Sequence, residues 1–254
     1  MTVPARRGGR PARQAERARL TVERRQARRL ARFLDSDAAG RSMGYLLPLH
    51  RHGARVQVPL ELRRGTVIGA GWPGQCYEVA LGYLLRHFDV PGLRLVHGYV
   101  VEGDASQDLP WQHAWVELDG EQAIYDPTTG EFFQLASFHQ VLKATPLCTY
   151  TAEQALARYD AEGAAGPWPE FKALHKRGMG EHLARLLEAH PGLAAWLDEM
   201  RRADPVFAAR LDAAQASSGV RAAQAVEYLA ATGRWRDHRP GQGWDGALHP
   251  LGLV

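Results

Sequence analysis

The spacing of apolar positions divides the chain into stretches of different character. Between Ala12 and Asp35 glycine and proline vanish, and Leu20, Ala27, Leu30 and Leu34 fall roughly on one helical face, which predicts a helix. Residues 36–65 are mixed, with short β-like pieces such as Ala54 to Val58. Residues 66–75 carry turn chemistry and end in Gly71-Trp72-Pro73-Gly74-Gln75. A helix is expected from Cys76 to about Phe88, with Val79, Ala80, Tyr83, Leu84 and Phe88 as its apolar stripe and Pro91-Gly92 as its stop.

Three strands are expected next. Leu93 to Glu102 is rich in Leu, Val and Tyr, and a polar loop separates it from Trp111 to Leu118. Asp119-Gly120 is a two-residue hairpin signal, and Glu121 to Asp126 is the return strand, closed by Pro127. After Thr151 the chain turns Ala-, Leu- and Arg-rich. Helices are expected at 151–161, opened by a Thr cap with Glu153 in the first turn, then at 170–190 with a break near Gly178-Met179-Gly180. Further helices are expected at 193–202, 205–216 and 220–232. A helix followed by an antiparallel meander is the α+β pattern. The organisation read from this is a basic N-terminal arm over 1–35, a core over 36–150, a helical C-terminal region over 151–233 and an irregular tail over 234–254.

Composition narrows the class. A chain of 254 residues with 45% hydrophobic and 23% charged positions can bury a core without staples. Two cysteines exclude a disulfide scaffold and suit a reducing compartment. No apolar run approaches a membrane span, and the N-terminus lacks the apolar segment of a secretion signal, so the expectation is a cytoplasmic protein with no membrane partner. The charge is uneven. Residues 1–32 hold eleven arginines and two glutamates, a local +9 within a net +3, so the remainder carries −6. The arm is therefore either a contact for nucleic acid or an acidic partner, or a solvated tail; no nucleic-acid motif accompanies it.

Three residues stand out by placement. Cys76 lies at a predicted helix start after a Gly-rich turn, where unpaired N–H groups and the helix dipole favour a thiolate nucleophile and can hold an oxyanion. His113 lies on the second strand and Asp126 ends the third. With Asp119-Gly120 as the turn, Leu118 faces Glu121 and His113 faces Asp126, so the carboxylate can orient the imidazole and leave its other nitrogen for a thiol. Trp72, Gln75 and Trp115 are candidates to line a substrate cleft, and Glu78 and Glu117 are expected to face solvent or that groove. His50 and His52 with His97 or His139 do not complete a recognisable metal spacing, so no metal and no cofactor is assigned.

Gly74-Gln75-Cys76, the strand Val96-His97-Gly98-Tyr99-Val100, His113-Ala114-Trp115-Val116-Glu117 and Asp126-Pro127-Thr128 together resemble the transglutaminase-like superfamily, which belongs with the papain-like thiol enzymes. The resemblance spans about residues 66–134. It implies a Cys-bearing helix packed on an antiparallel sheet, with Cys76 as nucleophile, His113 as general base and then acid, and Asp126 as orienting carboxylate. Tyr77 stands where animal transglutaminases have Trp, and there is no calcium-binding carboxylate cluster. The expected activity is thiol-dependent acyl transfer on amide bonds of a protein or peptide substrate. A cysteine peptidase or deamidase is favoured over a cross-linking transglutaminase, and a non-catalytic protein binding through its arm is the alternative.

Overall fold

A computed structural model describes residues 9–34, 47–63, 75–102, 109–217 and 220–237. The protein is α+β. Helices α1 (Arg10–Leu34), α2 (Leu47–His52), α3 (Leu60–Arg63) and α4 (Cys76–Arg86) precede the strands. Strands β1 (Leu93–Glu102), β2 (Leu109–Leu118), β3 (Ala123–Asp126), β4 (Glu131–Gln134) and β5 (Thr145–Tyr150) form an antiparallel sheet in the order β4-β3-β2-β1-β5, with helix α5 (Leu135–Val141) between β4 and β5. Helices α6 (Ala152–Glu162), α7 (Pro169–Ala189), α8 (Pro191–Ala203), α9 (Pro205–Ser217) and α10 (Val220–Thr232) follow.

The chain divides into two compact units, residues 1–171 and 172–254. In the first, strand alternation sends Leu95, Ala114, Val116, Ala123 and Tyr125 to one face, where they share a core with α4, α1 and α6. Val96, Trp115, Ile124 and Phe133 point the other way and pack with Leu49 of α2 and Phe138 of α5. The second unit has its own core, built on Leu193, Trp196, Met200, Phe207, Val226 and Leu229. No helix among the described residues is long and apolar enough to cross a membrane.

Several expectations are corrected. The buried face of α1 is Ala15, Ala18 and Val22, whereas Leu20 and Ala27 are exposed. Small side chains let α1 lie close on α4, where a Cβ on Gly82 would be 3.6 Å from Val22 Cγ1. The side chains of Leu30 and Leu34 fall outside the described residues. Helix α4 is buried from Cys76 to Leu85 rather than along one stripe, because the sheet and α1 both cover it. α7 runs unbroken through Gly178-Met179-Gly180. Strands β4 and β5 and helices α2, α3 and α5 are additions to the expected elements.

The hairpin register also differs. Residues 119–122 connect β2 to β3 through a 3-10 turn, and the pairs are Val116–Tyr125, Glu117–Ile124 and Leu118–Ala123. The left-handed residue is Gln122, at φ 47°, and Gly120 is not in a positive-φ conformation, so the two-residue turn that Asp119-Gly120 signals does not form. Asp119 is held instead to the start of β1, by its N–H to the Gly92 carbonyl at 3.1 Å and by an ion pair with Arg94 at 2.8 Å. A shift of two residues preserves the faces: His113 and Asp126 keep the same side of the sheet.

Candidate active site

Cys76 is the first residue of α4 and is buried. Gln75, at the N-cap, makes no side-chain cap, and the first helical bond runs from the Val79 N–H to the Gln75 carbonyl at 3.0 Å. The N–H of Cys76 therefore has no acceptor within the helix and lies at its positive end. The preceding residues 64–74, Trp72 among them, lie outside the described residues.

His113 and Asp126 lie beyond the last ladder pair of β2 and β3, so they meet as diagonal neighbours rather than as the directly opposed pair expected from the turn. His113 Nε2 and Asp126 Oδ1 are 2.7 Å apart, with both side chains buried. The second carboxylate oxygen accepts the Thr129 N–H at 2.8 Å, and the Asp126 carbonyl accepts the Gly130 N–H at 2.9 Å. A turn through Asp126-Pro127-Thr128-Thr129 thus fixes the carboxylate before it meets the ring. Thr129 is not marked by its residue type, because what it supplies to the carboxylate is a backbone N–H. Cys76 hydrogen-bonds the same imidazole; with Nε2 held by Asp126, Nδ1 is the nitrogen left for the sulfur.

Electrostatics follow from this geometry. Burial pulls the His113 pKa down, but the hydrogen bonds that the ring makes to Asp126 and Cys76 outweigh it and push it up to about 10. The imidazolium is accordingly the favoured form at neutral pH. Behind the ring, Trp115 is fully buried and stacks beside it with centroids 6.1 Å apart, while its indole N–H donates to Glu117 at 3.1 Å. Trp115 backs the imidazole from within the second-face core.

Among the described residues, three buried polar atoms without a hydrogen-bond partner lie within two residues of Cys76, His113 or Asp126 in sequence: Gln75 Oε1, the Tyr77 hydroxyl and Thr128 Oγ1. Glu78 is buried rather than facing solvent, since α4 is enclosed along its length, and Glu117 is only half-buried. His97 is fully buried with neither ring nitrogen bonded, among Tyr77, Tyr150, Trp168 and Phe171, and burial lowers its pKa to about 3. His139 lies elsewhere, bonded to the Ala144 carbonyl at 2.9 Å, and His52 is exposed. Among the described residues no three His, Cys, Asp or Glu side chains gather as a metal site needs. Cys148 lies on β5 opposite His97, and neither it nor Cys76 is in a disulfide.

No family model matches the chain, and neither a curated protein nor a solved structure is significantly similar to it.

Proposed function

We propose that the protein is a thiol-dependent acyl-transfer enzyme acting on amide bonds, a cysteine peptidase or deamidase of the transglutaminase-like kind. The observation that supports this most is one buried imidazole held at Nε2 by the Asp126 carboxylate at 2.7 Å, with Cys76 as its second hydrogen-bond partner. A nucleophile, a base and an orienting group in that order are what thiol catalysis needs. In this reading His113 carries the proton and Cys76 is the thiolate. Sulfur attacks the amide carbon, the carbonyl electrons move to oxygen, and the Cys76 N–H at the start of α4 stabilises that oxyanion. The tetrahedral intermediate collapses, breaking the C–N bond, and His113 gives its proton to the leaving amine. Water, deprotonated by His113, then attacks the thioester carbon, the C–S bond breaks, the carboxylic product leaves, and the Cys76 thiolate and protonated His113 are restored. Water is the simplest acceptor; an amine in its place makes the same site a cross-linking enzyme.

The test is alkylation of Cys76 followed by mass spectrometry, with Cys148 as internal control. Fast labelling of Cys76 at pH 6.5 is expected. His113→Ala should slow it by about 100-fold, since an ordinary thiol of pKa about 8.5 is only about 1% ionised there. Equal rates at the two cysteines, unchanged by His113→Ala, would remove the basis for an activated pair.

A further inference from the structure

The face of α1 turned away from its buried residues carries a regular seam. Arg10, Arg13, Arg17, Leu20 and Arg24 follow one another at intervals of three, four, three and four residues, which places them along one side of the helix. All five are exposed, Leu20 at 40%. Ala15, Ala18 and Val22, which pack on the core, lie on the other side. Neighbouring charges of the same helix are committed elsewhere: Arg19 bridges Glu16 and Glu23, Glu23 also pairs with Arg86, and Arg25 donates to the Gly163 carbonyl. Among the described residues no acidic group pairs with Arg10, Arg13, Arg17 or Arg24, although the chain beyond residue 32 carries a net −6.

We infer that this seam, Arg10-Arg13-Arg17-Leu20-Arg24 on the outer face of α1, docks an acidic peptide segment, with one apolar side chain of that segment seated on Leu20. Charge complementarity selects an anionic partner, and four guanidinium groups over about 21 Å of helix can engage successive carboxylates. Leu20 decides between a peptide and a nucleic acid. It interrupts the arginines with an apolar side chain that a phosphate backbone would not contact, and no aromatic residue lies between Arg10 and Arg24 on which a base could stack. The assignment of this peptide as substrate rests on the thiol-enzyme reading; its binding does not. α1 packs directly on α4, the helix that begins at Cys76. The seam and the sulfur are then within roughly 30 Å, a span of about nine extended residues, so the acidic segment would lie about that far from the reacting amide.

The experiment uses the full chain and a fluorescein-labelled peptide of about fifteen Glu and Asp residues around a central Leu, long enough to follow the seam. Anisotropy should show binding that weakens with added salt. Arg13→Glu/Arg17→Glu/Arg24→Glu should weaken it by about tenfold or more, and Leu20→Ser by a smaller factor that salt does not alter. Cys76→Ser should bind the peptide as the wild type does, and the charge-reversed protein should alkylate at Cys76 at the wild-type rate, so docking and triad are scored separately. If charge reversal unfolds the chain, Arg13→Gln/Arg17→Gln/Arg24→Gln makes the same comparison. Three results overturn the inference: equal affinity in wild type and variants, tighter binding of a DNA duplex of similar length than of the peptide, or no peptide binding together with self-association that the variants abolish. The last would put a second copy of the chain on the seam.

Discussion

Burial acts on two histidines of the same sheet and their partners decide the outcome. His113 has a carboxylate on one nitrogen and a sulfur on the other, and its pKa rises to about 10. His97, one strand away, has aromatic rings and no acceptor, and burial alone lowers it to about 3. Linkage gives the two opposite signs against pH. The unfolded value for both is about 6.5. The stability that His113 contributes is complete below pH 6.5 and is lost as pH rises through about 10. His97 leaves stability intact above pH 6.5 and withdraws it as pH falls toward 3, where the unfolded chain takes up a proton that the native ring refuses. Thermal melts across pH should therefore show His113→Phe flattening the alkaline limb and His97→Phe flattening the acid limb. If the two variants altered the same limb, the charge assignments would be wrong. His113 and Asp126 were legible as a pair from residue types and spacing. Thr129, which holds the carboxylate, was not, because its role belongs to a backbone N–H that has no signature of its own.

At the scale of elements, close approach is set by glycine, and two glycines differ in what they tolerate. Gly82 lies in α4 beneath α1, and a methyl there meets Val22 at 3.6 Å, an ordinary contact. Gly98 lies in β1 at the irregularity between β1 and β5, and a Cβ there would come within 2.4 Å of the Thr145 carbonyl oxygen and 2.5 Å of the Trp115 ring. Gly82→Ala should leave stability unchanged or raise it by about 0.5–1 kcal/mol, the ordinary gain of Ala over Gly in a helix interior. Gly98→Ala should cost about 1–3 kcal/mol through overpacking. Urea midpoints of the two variants decide this, and a stable Gly98→Ala protein would mean that β1 and β5 are not so tightly joined. The helix that bears Cys76 was legible almost to its boundaries, since the preceding turn and the following Pro-Gly both punctuate it. The face of α1 was not: large leucines were the natural choice, whereas close packing on α4 selected Ala15, Ala18 and Val22.

Two compact units in one chain, each with buried apolar residues of its own, bear on how the molecule responds to damage. The first unit gathers α4, the sheet, α1 and α6, and the second gathers α8, α9 and α10 around Trp196 and Met200. Trp196→Ala should destabilise the second unit by about 3–5 kcal/mol while Cys76 alkylates at the wild-type rate. Parallel loss of alkylation would show that the units fold as one. The sequence by itself determined what depends on neighbours along the chain: helices from periodicity and caps, strands from β-rich runs, the division between a basic N-terminal segment and an acidic remainder, and the order Cys76, His113, Asp126. Tertiary structure alone decided what depends on distant partners. It moved the β2–β3 register by two residues, because Asp119 is anchored to Gly92 and Arg94 rather than to a tight turn. It also buried α4 on all sides, and it set His113 between a sulfur and a carboxylate while leaving His97 with neither. Hydrogen-bond partners and close packing are properties of three-dimensional neighbours, and local spacing constrains them only as far as which face of an element a residue can share.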